Sequence, residues 1–332
     1  MTADRDQWLA LTAEQAIEPE LPICDPHHHL WDYPGSRYLV DEFRADLGGG
    51  HRVEETVFVE CRQFYHGDGP IEMRPVGETV FIDSLAGPVS TPGGAIELAA
   101  GIVGFADLSA GNQVQAVLEA HLAASSRFRG VRHATAWDAS DRIHNAHTDP
   151  PQGLMGESRF RDGVRCLDQL GLRFDAWLYH HQLPELTDLA RAFPGLPIVL
   201  NHMAGPLGIG PYAGDPAAVF QQWESGLSEL ACCPNVFVKL GGRTMSMSGF
   251  GWHKRPRPPG SAELAEKLAP YFDTCIALFG AQRCMFESNF PVDRAGASYT
   301  VLWNAFKRAT RNYSETERAE LFRGTARSFY GI

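Results

Sequence analysis

The stretch PICDPHHHL, residues 22–30, places three histidines inside an apolar segment that has the character of a β-strand. Side chains alternate along a strand, so Asp25, His27 and His29 are expected on one face and His28 on the other. Two imidazoles spaced i, i+2 at the end of a strand can converge on one point, as a metal site or a general-base cluster requires. The segment therefore predicts a site built on His27 and His29, not a purification tag.

Seven more segments rich in Val, Ile and Phe follow, and together with the first they give eight predicted strands. The seven span residues 56–64, 100–108, 128–136, 172–180, 196–203, 235–242 and 283–290. Stretches with apolar residues at helical spacing lie between several of them. Eight strands alternating with helices predict an α/β fold, a single (β/α)8 TIM barrel. A doubly wound sheet is disfavoured because no G-x-G-x-x-G follows any predicted strand.

Two further features concern the organisation of the chain. Residues 1–21 are expected to be an N-terminal extension, and residues 22–332 the barrel domain. Residues 76–94 and 243–260 are expected to be long βα loops after strands two and seven, and such loops usually form the rim of a barrel active site. The second loop is either a solvated excursion or a lid with cationic and aromatic contacts for an anionic or ring-bearing substrate.

Composition limits the class of partner. The net charge of −11 argues against nucleic-acid and anionic-membrane binding, since both need a basic face. No apolar run approaches the roughly eighteen residues of a membrane span, and the acidic N-terminus lacks the apolar core of a secretory signal. Seven cysteines without C-x-x-C spacing indicate reduced thiols. We therefore expect a cytoplasmic enzyme with a small-molecule substrate; a homo-oligomer is expected only on base rates.

The same alternation identifies polar side chains at the ends of the other strands as candidate site residues. A lysine inside an apolar strand, such as Lys239, needs a charged partner or a wet barrel lumen. The candidates for catalysis are His27, His29, His202, Lys239, Glu287 and Asn289. The candidates for substrate binding are Glu60, Arg62, Arg132, Tyr179, His181, Arg243, Trp252 and Arg294.

Three motifs carry a family resemblance. CDPHHHLWD (24–32), VLNHMAGP (199–206) and MFESNFPVDR (285–294) resemble the amidohydrolase-related TIM-barrel hydrolases (amidohydrolase 2). The similarity is closer to their lactonase-like branch, the fuconolactonase and 2-pyrone-4,6-dicarboxylate lactonase group. In metal-dependent members the strand-one histidines, a later histidine and a strand-eight aspartate hold one divalent ion. By resemblance these roles fall on His27, His29 and His202, and Asn289 stands where the aspartate is expected.

Asn289 leaves three alternatives for the cofactor. A neutral amide is no base near pH 7 and offers a metal only its carbonyl oxygen. The site is then metal-free, which Asn289 favours, or Glu287 replaces the aspartate as base or ligand of a Zn²⁺ ion, or the barrel is non-catalytic. In the second alternative Glu287 is expected to lie about 6 to 7 Å deeper in the barrel.

The resemblance implies a hydrolase that opens a lactone or related cyclic ester by attack of water at the barrel mouth. A metal, or His27, His29 and Lys239, would stabilise the oxyanion, and His202 or Glu287 would serve as base. Arginines 132, 243 and 294 would hold a carboxylate or another oxygen-rich group. The alternatives are a metal-dependent decarboxylase of an aromatic or unsaturated acid, against which Asn289 counts, and a binding barrel without turnover.

Overall fold

Parallel strands hydrogen-bonded in sequence form the centre of the computed structural model, which describes residues 2–91 and 94–332. In chain order the strands are β1 (Ile23–His28), β2 (Trp31–Tyr33), β3 (Ser36–Tyr38), β4 (Val53–Val59), β5 (Gly87–Thr91), β6 (Gly94–Gly104), β7 (Phe128–Ala134), β8 (Arg173–Trp177), β9 (Ile198–Leu200), β10 (Val236–Leu240) and β11 (Cys284–Phe286). Eight of them pair in the order β1-β4-β6-β7-β8-β9-β10-β11, all in parallel. Each of the eight overlaps one predicted strand.

Hydrogen bonds just beyond the last strand complete the barrel. The amide of Asn289 donates to His27 O at 2.9 Å, and the amide of His29 donates to Phe290 O at 2.8 Å. A parallel bridge joins His28 to Phe290. The predicted α/β TIM barrel is therefore confirmed.

Helices surround the barrel. They are α1 (Thr2–Ala10), α2 (Val40–Leu47), α3 (Val76–Leu85), α4 (Val114–Ala124), α5 (Ser158–Gln169), α6 (Leu183–Ala192), α7 (Pro216–Leu230), α8 (Ser261–Phe279), α9 (Tyr299–Ala309), α10 (Glu315–Ala319) and α11 (Thr325–Tyr330). Local sequence explains several of their starts. Asp215 caps α7 by accepting from Ala218 N, with Pro216 in the first turn, and Ser298 caps α9 by accepting from Val301 N.

The last helix closes the amino-terminal end of the barrel. Phe329 and Tyr330 of α11 pack with inward-facing strand residues such as Val57 and Met285. Arg173, at the start of β8, donates to Phe329 O at 2.8 Å. Tyr330 is fully buried, and its hydroxyl donates to the carboxylate of Asp175 at 2.9 Å. The C-terminal segment therefore contributes a polar contact to the barrel interior as well as an apolar floor.

The segment 76–94 differs from the long loop that was predicted. Residues 76–85 form α3, which buries Val76 and Ile82, and residues 87–91 form β5, which pairs antiparallel with β6. Residues 92 and 93 lie outside the described part of the chain. The high Gly and Pro content of residues 86–94 concealed the strand, because β5 lies at the edge of the sheet, where proline is tolerated.

The segment 243–260 is irregular, as predicted, with short 3₁₀ turns at Ser246–Ser248 and Trp252–Lys254. Its second half is held by the N-terminal segment. The Trp8 indole donates to Arg255 O at 2.8 Å, and the Thr12 hydroxyl donates to Pro258 O at 2.9 Å. Met245, Ser246 and Met247, in the first half, line a cavity at the barrel mouth.

Two further properties bear on function. None of the helices in the described ranges is both long and apolar enough to span a bilayer. All seven cysteines are free thiols, and five of them are buried.

Candidate active site

Two imidazoles and a carboxylate meet at the carboxyl end of the barrel strands. His202 Nδ1 lies 2.6 Å from Glu287 Oε1, and His27 Nδ1 lies 2.7 Å from Glu287 Oε2. Glu287 and His27 are fully buried, and His202 is 3% exposed. The carboxylate can only accept, so it fixes the proton of a neutral His202 on Nδ1 and leaves the lone pair on Nε2.

Unusual backbone geometry brings His202 to Glu287. His202 follows β9 and has a φ of 55°, and its amide also donates to Glu287 Oε1 at 3.0 Å. Gly242, after β10, has a φ of 68°, and a Cβ at this position would lie 2.5 Å from the His202 ring. A glycine is therefore needed here both for the left-handed conformation and for the close approach of the imidazole.

Arg132 links His27 to Glu60. Its Nε donates to Glu60 Oε1 at 2.7 Å, and its Nη1 donates to His27 Nε2 at 3.3 Å. Burial raises the pKa of Glu60, but the Arg132 guanidinium and His147 outweigh it and bring that pKa down to about 2. Burial, followed by the charge of Lys239, holds the pKa of His27 well below its ordinary value. Glu60 is thus a carboxylate and His27 a neutral imidazole near pH 7.

The charged partner that was expected for Lys239 is Asp175. Lys239 Nζ donates to Asp175 Oδ2 at 2.7 Å and to Pro26 O at 2.9 Å, and it lies 3.3 Å from His27 Nδ1. Asn201 also donates to Asp175, at 3.2 Å. Both members of the ion pair are fully buried in the lumen. These contacts therefore hold Lys239 in the layer of lumen side chains beneath the histidines.

His29 and Asn289 form a second polar pair. Val59 O can only accept, so His29 Nδ1, at 2.7 Å, carries the proton and Nε2 carries the lone pair. The Asn289 amide nitrogen donates to Asp293 Oδ2 at 2.5 Å, which turns Oδ1 toward His29 Nε2 at 3.3 Å. Burial, followed by the charge of Arg132, lowers the pKa of His29 to about 3, so its imidazole stays neutral. Two acceptors therefore lie side by side, and both could accept from one O–H of a water molecule bound beside them.

A cavity of about 440 Å³ opens above these groups. We call it the polar lobe, because its wall combines cationic and hydrogen-bonding side chains with two aromatic rings. It is lined by His29, Trp31, Tyr33, Cys61, Arg62, Arg132, His147 and Val292. Of the predicted residues, His29, Arg62 and Arg132 contribute directly to this wall.

A second cavity of about 420 Å³ adjoins the first, and the two share His147 and Val292. We call it the apolar lobe, because most of its wall is aliphatic, aromatic or thioether. Its lining includes Ile143, Trp177, Tyr179, Ile209, Met245 and Met247. The Trp177 ring packs edge-to-face on the His202 ring, with 4.7 Å between centroids, so this lobe borders the histidine cluster.

Three residues predicted to bind substrate lie elsewhere. Arg243 is buried beneath the mouth, donates to Pro206 O at 2.7 Å and lies over the Tyr271 ring. Trp252 stacks on Phe250 in the hydrophobic core. His181 contacts Asp138 at 2.9 Å and lines a separate recess near α6, because the chain turns into a 3₁₀ helix after Tyr179 and strand alternation no longer applies.

Arg294 lies on the rim. It forms ion pairs with Asp6 and Asp46, the latter at 3.4 Å, and it borders a third recess, which shares Val292 with both lobes. The prediction that Asp25 points inward with His27 is wrong. The Asp25 carboxylate accepts from Tyr299 of α9 at 3.0 Å, because the pairing of β1 with β4 is irregular between Asp25 and His28.

Sequence reasoning missed several residues of the mouth. His147, His144 and Asn145 come from the long connection after β7, whose histidine-rich sequence RIHNAH (142–147) was a detectable signal. Asp175 was detectable as a carboxylate inside an apolar strand. Val292 and Met247 carried no chemical signal.

The donor set fits a divalent ion. Ligand atoms of His27, His202 and Glu287 all lie within 4.8 Å of one another. Glu287 Oε2 is buried and forms no hydrogen bond, despite its close approach to His27. Two imidazoles and a carboxylate, with a fourth position left open, form a ligand set that catalytic zinc sites use. Glu287, and not residue 289, therefore supplies the carboxylate of this donor set, and His29, to which the resemblance gave a ligand role, lies in the pair with Asn289 instead.

The amidohydrolase family profile matches residues 92–332, well over half of the chain. The chain belongs to the amidohydrolase family. This member is 31% identical to the uncharacterized protein y4mH of Sinorhizobium fredii, over 94% of this chain and 99% of the relative. It is 26% identical to the L-fucono-1,5-lactonase of Burkholderia multivorans, over 93% and 95% respectively.

A solved structure supports the same fold for this amidohydrolase. A crystal structure of an amidohydrolase from Burkholderia multivorans, with bound zinc, superposes with a TM-score of 0.71. The two chains are 24% identical, and the superposition covers 93% of this chain and 99% of the other. The family profile and the lactonase relative confirm the family resemblance and the assignment as an enzyme.

Proposed function

We propose that this amidohydrolase hydrolyses a lactone or a closely related cyclic ester. The observation that carries the proposal is the buried His202–Glu287 pair, whose imidazole packs on His27, the contact of Arg132 in the wall of the polar lobe. An imidazole oriented by a buried carboxylate is an arrangement suited to general-base catalysis. The similarity to an L-fucono-1,5-lactonase supports ester hydrolysis over other reactions of the fold.

The first step is the placement of water and substrate. The acceptors His29 Nε2 and Asn289 Oδ1 would hold one proton of the attacking water. Arg132, which lines the polar lobe, would donate to the carbonyl oxygen of the lactone and stabilise the negative charge that develops there. Glu60 holds the guanidinium in this orientation through its 2.7 Å contact.

Bond making and breaking follow. The water oxygen attacks the carbonyl carbon while its other proton passes to His202 Nε2, and the positive imidazolium is stabilised by Glu287. The tetrahedral intermediate then collapses, the bond from the carbonyl carbon to the ring oxygen breaks, and the ring oxygen takes the proton from His202. The product is an open hydroxy acid, whose new carboxyl group then releases the second proton of the water to solvent and becomes a carboxylate.

A metal held by His27, His202 and Glu287 would supply Lewis-acid polarisation of the carbonyl. The Burkholderia multivorans structure with bound zinc supports a metal-dependent enzyme, and Asn289 supports a metal-free one. Elemental analysis of the purified protein before and after chelation separates the two. One equivalent of zinc that is lost with the activity and restored by addition identifies a metal enzyme.

The function is tested with a panel of five- and six-membered lactones, with acid release followed by a pH indicator and the product identified by mass. The expected result is an addition of one water per turnover and no release of CO₂ from aromatic acids. No lactone or ester turned over above the buffer rate would refute the proposal. Release of CO₂ from an aromatic acid would instead favour the decarboxylase alternative.

A further inference from the structure

The hydrolytic steps above use the polar lobe and leave the apolar lobe without a role. The apolar lobe is about 420 Å³, and pockets that bind small molecules typically measure about 300–1,000 Å³. It is therefore large enough to hold a substantial part of a substrate.

The wall of this lobe is a hydrophobic cluster separate from the barrel core. Ile143 and Tyr179 are buried in this cluster, and Trp177, Ile209 and Met247 pack against it only partly buried. Trp177 is the last residue of β8, and the other four lie in the connections that follow the successive barrel strands β7 to β10. Apolar side chains from four elements thus converge on one recess and leave apolar surface that a ligand can cover.

The polar side chains His144, His147 and Ser246 lie at the solvent-exposed edge of the lobe, and its inner part offers few hydrogen-bonding groups. The Tyr179 hydroxyl already donates to the backbone oxygen of His144. The Asn145 side-chain oxygen already accepts from the amide of Asp138 at 2.7 Å. A sugar hydroxyl that entered this recess would lose water without gaining an equivalent set of partners, which costs free energy.

The lobe is continuous with the reacting centre. His147 and Val292 line both lobes, and Trp177 packs on the His202 ring. A lactone whose carbonyl oxygen contacts Arg132 in the polar lobe can therefore extend a ring substituent past His147 and Val292 into the apolar lobe.

We propose that the substrate is a lactone with an apolar aryl or alkyl substituent on its ring, not a polyhydroxylated sugar lactone. The reaction in this inference rests on the proposed function, and the chemical class of the ligand rests on the apolar lobe. The polar lobe would bind the ester group, and Trp177, Ile209 and Met247 would cover the substituent.

The first experiment compares three six-membered lactones: δ-valerolactone, its 6-phenyl derivative and glucono-1,5-lactone. The expected kcat/KM of the phenyl derivative exceeds that of the unsubstituted ring by at least about tenfold, since contact of a large apolar group with an apolar pocket is worth that much or more. Glucono-1,5-lactone should be the poorest of the three. A higher kcat/KM for glucono-1,5-lactone than for the phenyl derivative would overturn the inference.

The second experiment changes the lobe. Met247→Gln keeps the length of the side chain and replaces its apolar end by an amide. We expect the kcat/KM ratio of the phenyl derivative to δ-valerolactone to fall about tenfold. Met73→Gln, at another half-buried methionine, which lies in the 3₁₀ turn Ile71–Met73 outside both lobes, is the matched control and should leave this ratio unchanged. Equal ratios in wild type and Met247→Gln would overturn the inference.

A binding measurement separates this inference from the proposed function. The lactam 6-phenylpiperidin-2-one has the shape of the phenyl lactone but resists hydrolysis, and its binding is measured by calorimetry. If no lactone is hydrolysed but the lactam binds and Met247→Gln weakens it, the hydrolase assignment fails and the apolar ligand class stands. If lactones are hydrolysed and the lactam does not bind, the ligand class is wrong and the hydrolase assignment stands.

Discussion

At the scale of single residues, the carboxylate of Glu287 is the group on which the proposed chemistry depends. It contacts both His27 and His202, yet it does not line either lobe. Glu287→Gln keeps the shape and removes the charge, so an imidazolium at His202 loses its stabilisation. We expect kcat to fall roughly 10²- to 10⁴-fold, with KM changed little.

Steady-state kinetics of the purified variant measures this effect. Glu185→Gln, at a half-buried carboxylate of α6 away from both lobes, is the matched control and should keep wild-type kinetics. A Glu287→Gln variant that retained half of the wild-type kcat would remove Glu287 and His202 from the mechanism.

A second prediction at this scale concerns Glu78, a buried acid of α3. Burial, followed by the charge of Glu60, raises the pKa of Glu78 from an ordinary 4.5 to about 8. Between these values the unfolded chain releases the proton and the folded chain keeps it, so stability falls as pH rises from about 4.5 to 8. Each unit of pKa difference corresponds to roughly 1.4 kcal/mol.

Glu78→Gln should remove this dependence while still accepting from the amides of Cys61 and Gln63. Urea unfolding at pH 5, 6.5 and 8 measures it, and the variant should gain stability over wild type as pH rises. Glu119→Gln, at an exposed acid of α4, should follow the wild-type curve. Parallel curves for Glu78→Gln and wild type would show that Glu78 ionises normally in the folded protein.

Whether the position of a side chain could be predicted from the sequence depends on which interactions determine that position. The alternation rule predicted one face for His27 and His29, and both side chains lie at the barrel mouth, His27 against Glu287 and His29 in the wall of the polar lobe. It failed for Asp25, where irregular pairing turns the side chain toward Tyr299. The contact between His202 and Glu287 depends on a left-handed φ at His202 and on Gly242, and neither is encoded in the identity of the two partners.

At the scale of elements, the packing of α3 against the loop after β4 positions Arg62 at the cavity. A Cβ on Gly77 would lie 2.5 Å from His66 N and 2.7 Å from Phe64 O, so α3 needs glycine for this close approach. Gly77→Ala should push the loop away, destabilise the fold by about 1–3 kcal/mol and raise KM, because Arg62 lines the polar lobe.

Gly67→Ala is the control for this change. Gly67 lies in the same loop, and a Cβ there would meet no atom within 4 Å. Urea unfolding and steady-state kinetics of both variants test the argument. Equal stability of the two variants would mean that the helix and the loop can separate without cost.

Element-level prediction succeeded for the barrel strands and failed where tertiary contacts decide. The eight parallel strands are apolar runs that are buried on both sides, and such runs are visible in sequence. Strand β5 is an edge strand with Gly and Pro at its start, so its pairing with β6 was not visible. Arg243 and Trp252 were predicted to bind substrate, but they pack beneath the mouth against the aromatic rings of Phe250 and Tyr271.

At the scale of the whole molecule, the C-terminal helix is joined to the catalytic layer by a chain of buried contacts. Tyr330 donates to Asp175, Asp175 accepts from Lys239, and Lys239 lies 3.3 Å from His27. Tyr330→Phe removes one donor from a fully buried carboxylate. We expect the free energy of unfolding to fall by about 1–3 kcal/mol.

Tyr313→Phe provides the comparison, since its hydroxyl donates to Asp273 at 2.7 Å at an exposed site. Water can replace that donor, so the loss should stay below about 1 kcal/mol. Urea unfolding of the two variants measures the difference. Equal losses would mean that Asp175 is solvated in the folded protein.

The barrel floor has a practical consequence for handling the protein. Ile332 lies only two residues beyond Tyr330 and packs against the same lumen cluster. A purification tag or surface anchor joined after Ile332 would therefore pull on a partly buried side chain that packs against the barrel floor. One joined ahead of α1 would pull on a helix whose contacts lie at the outer rim. For immobilised or tagged enzyme, we expect attachment at the amino end to preserve activity better than attachment at the carboxyl end.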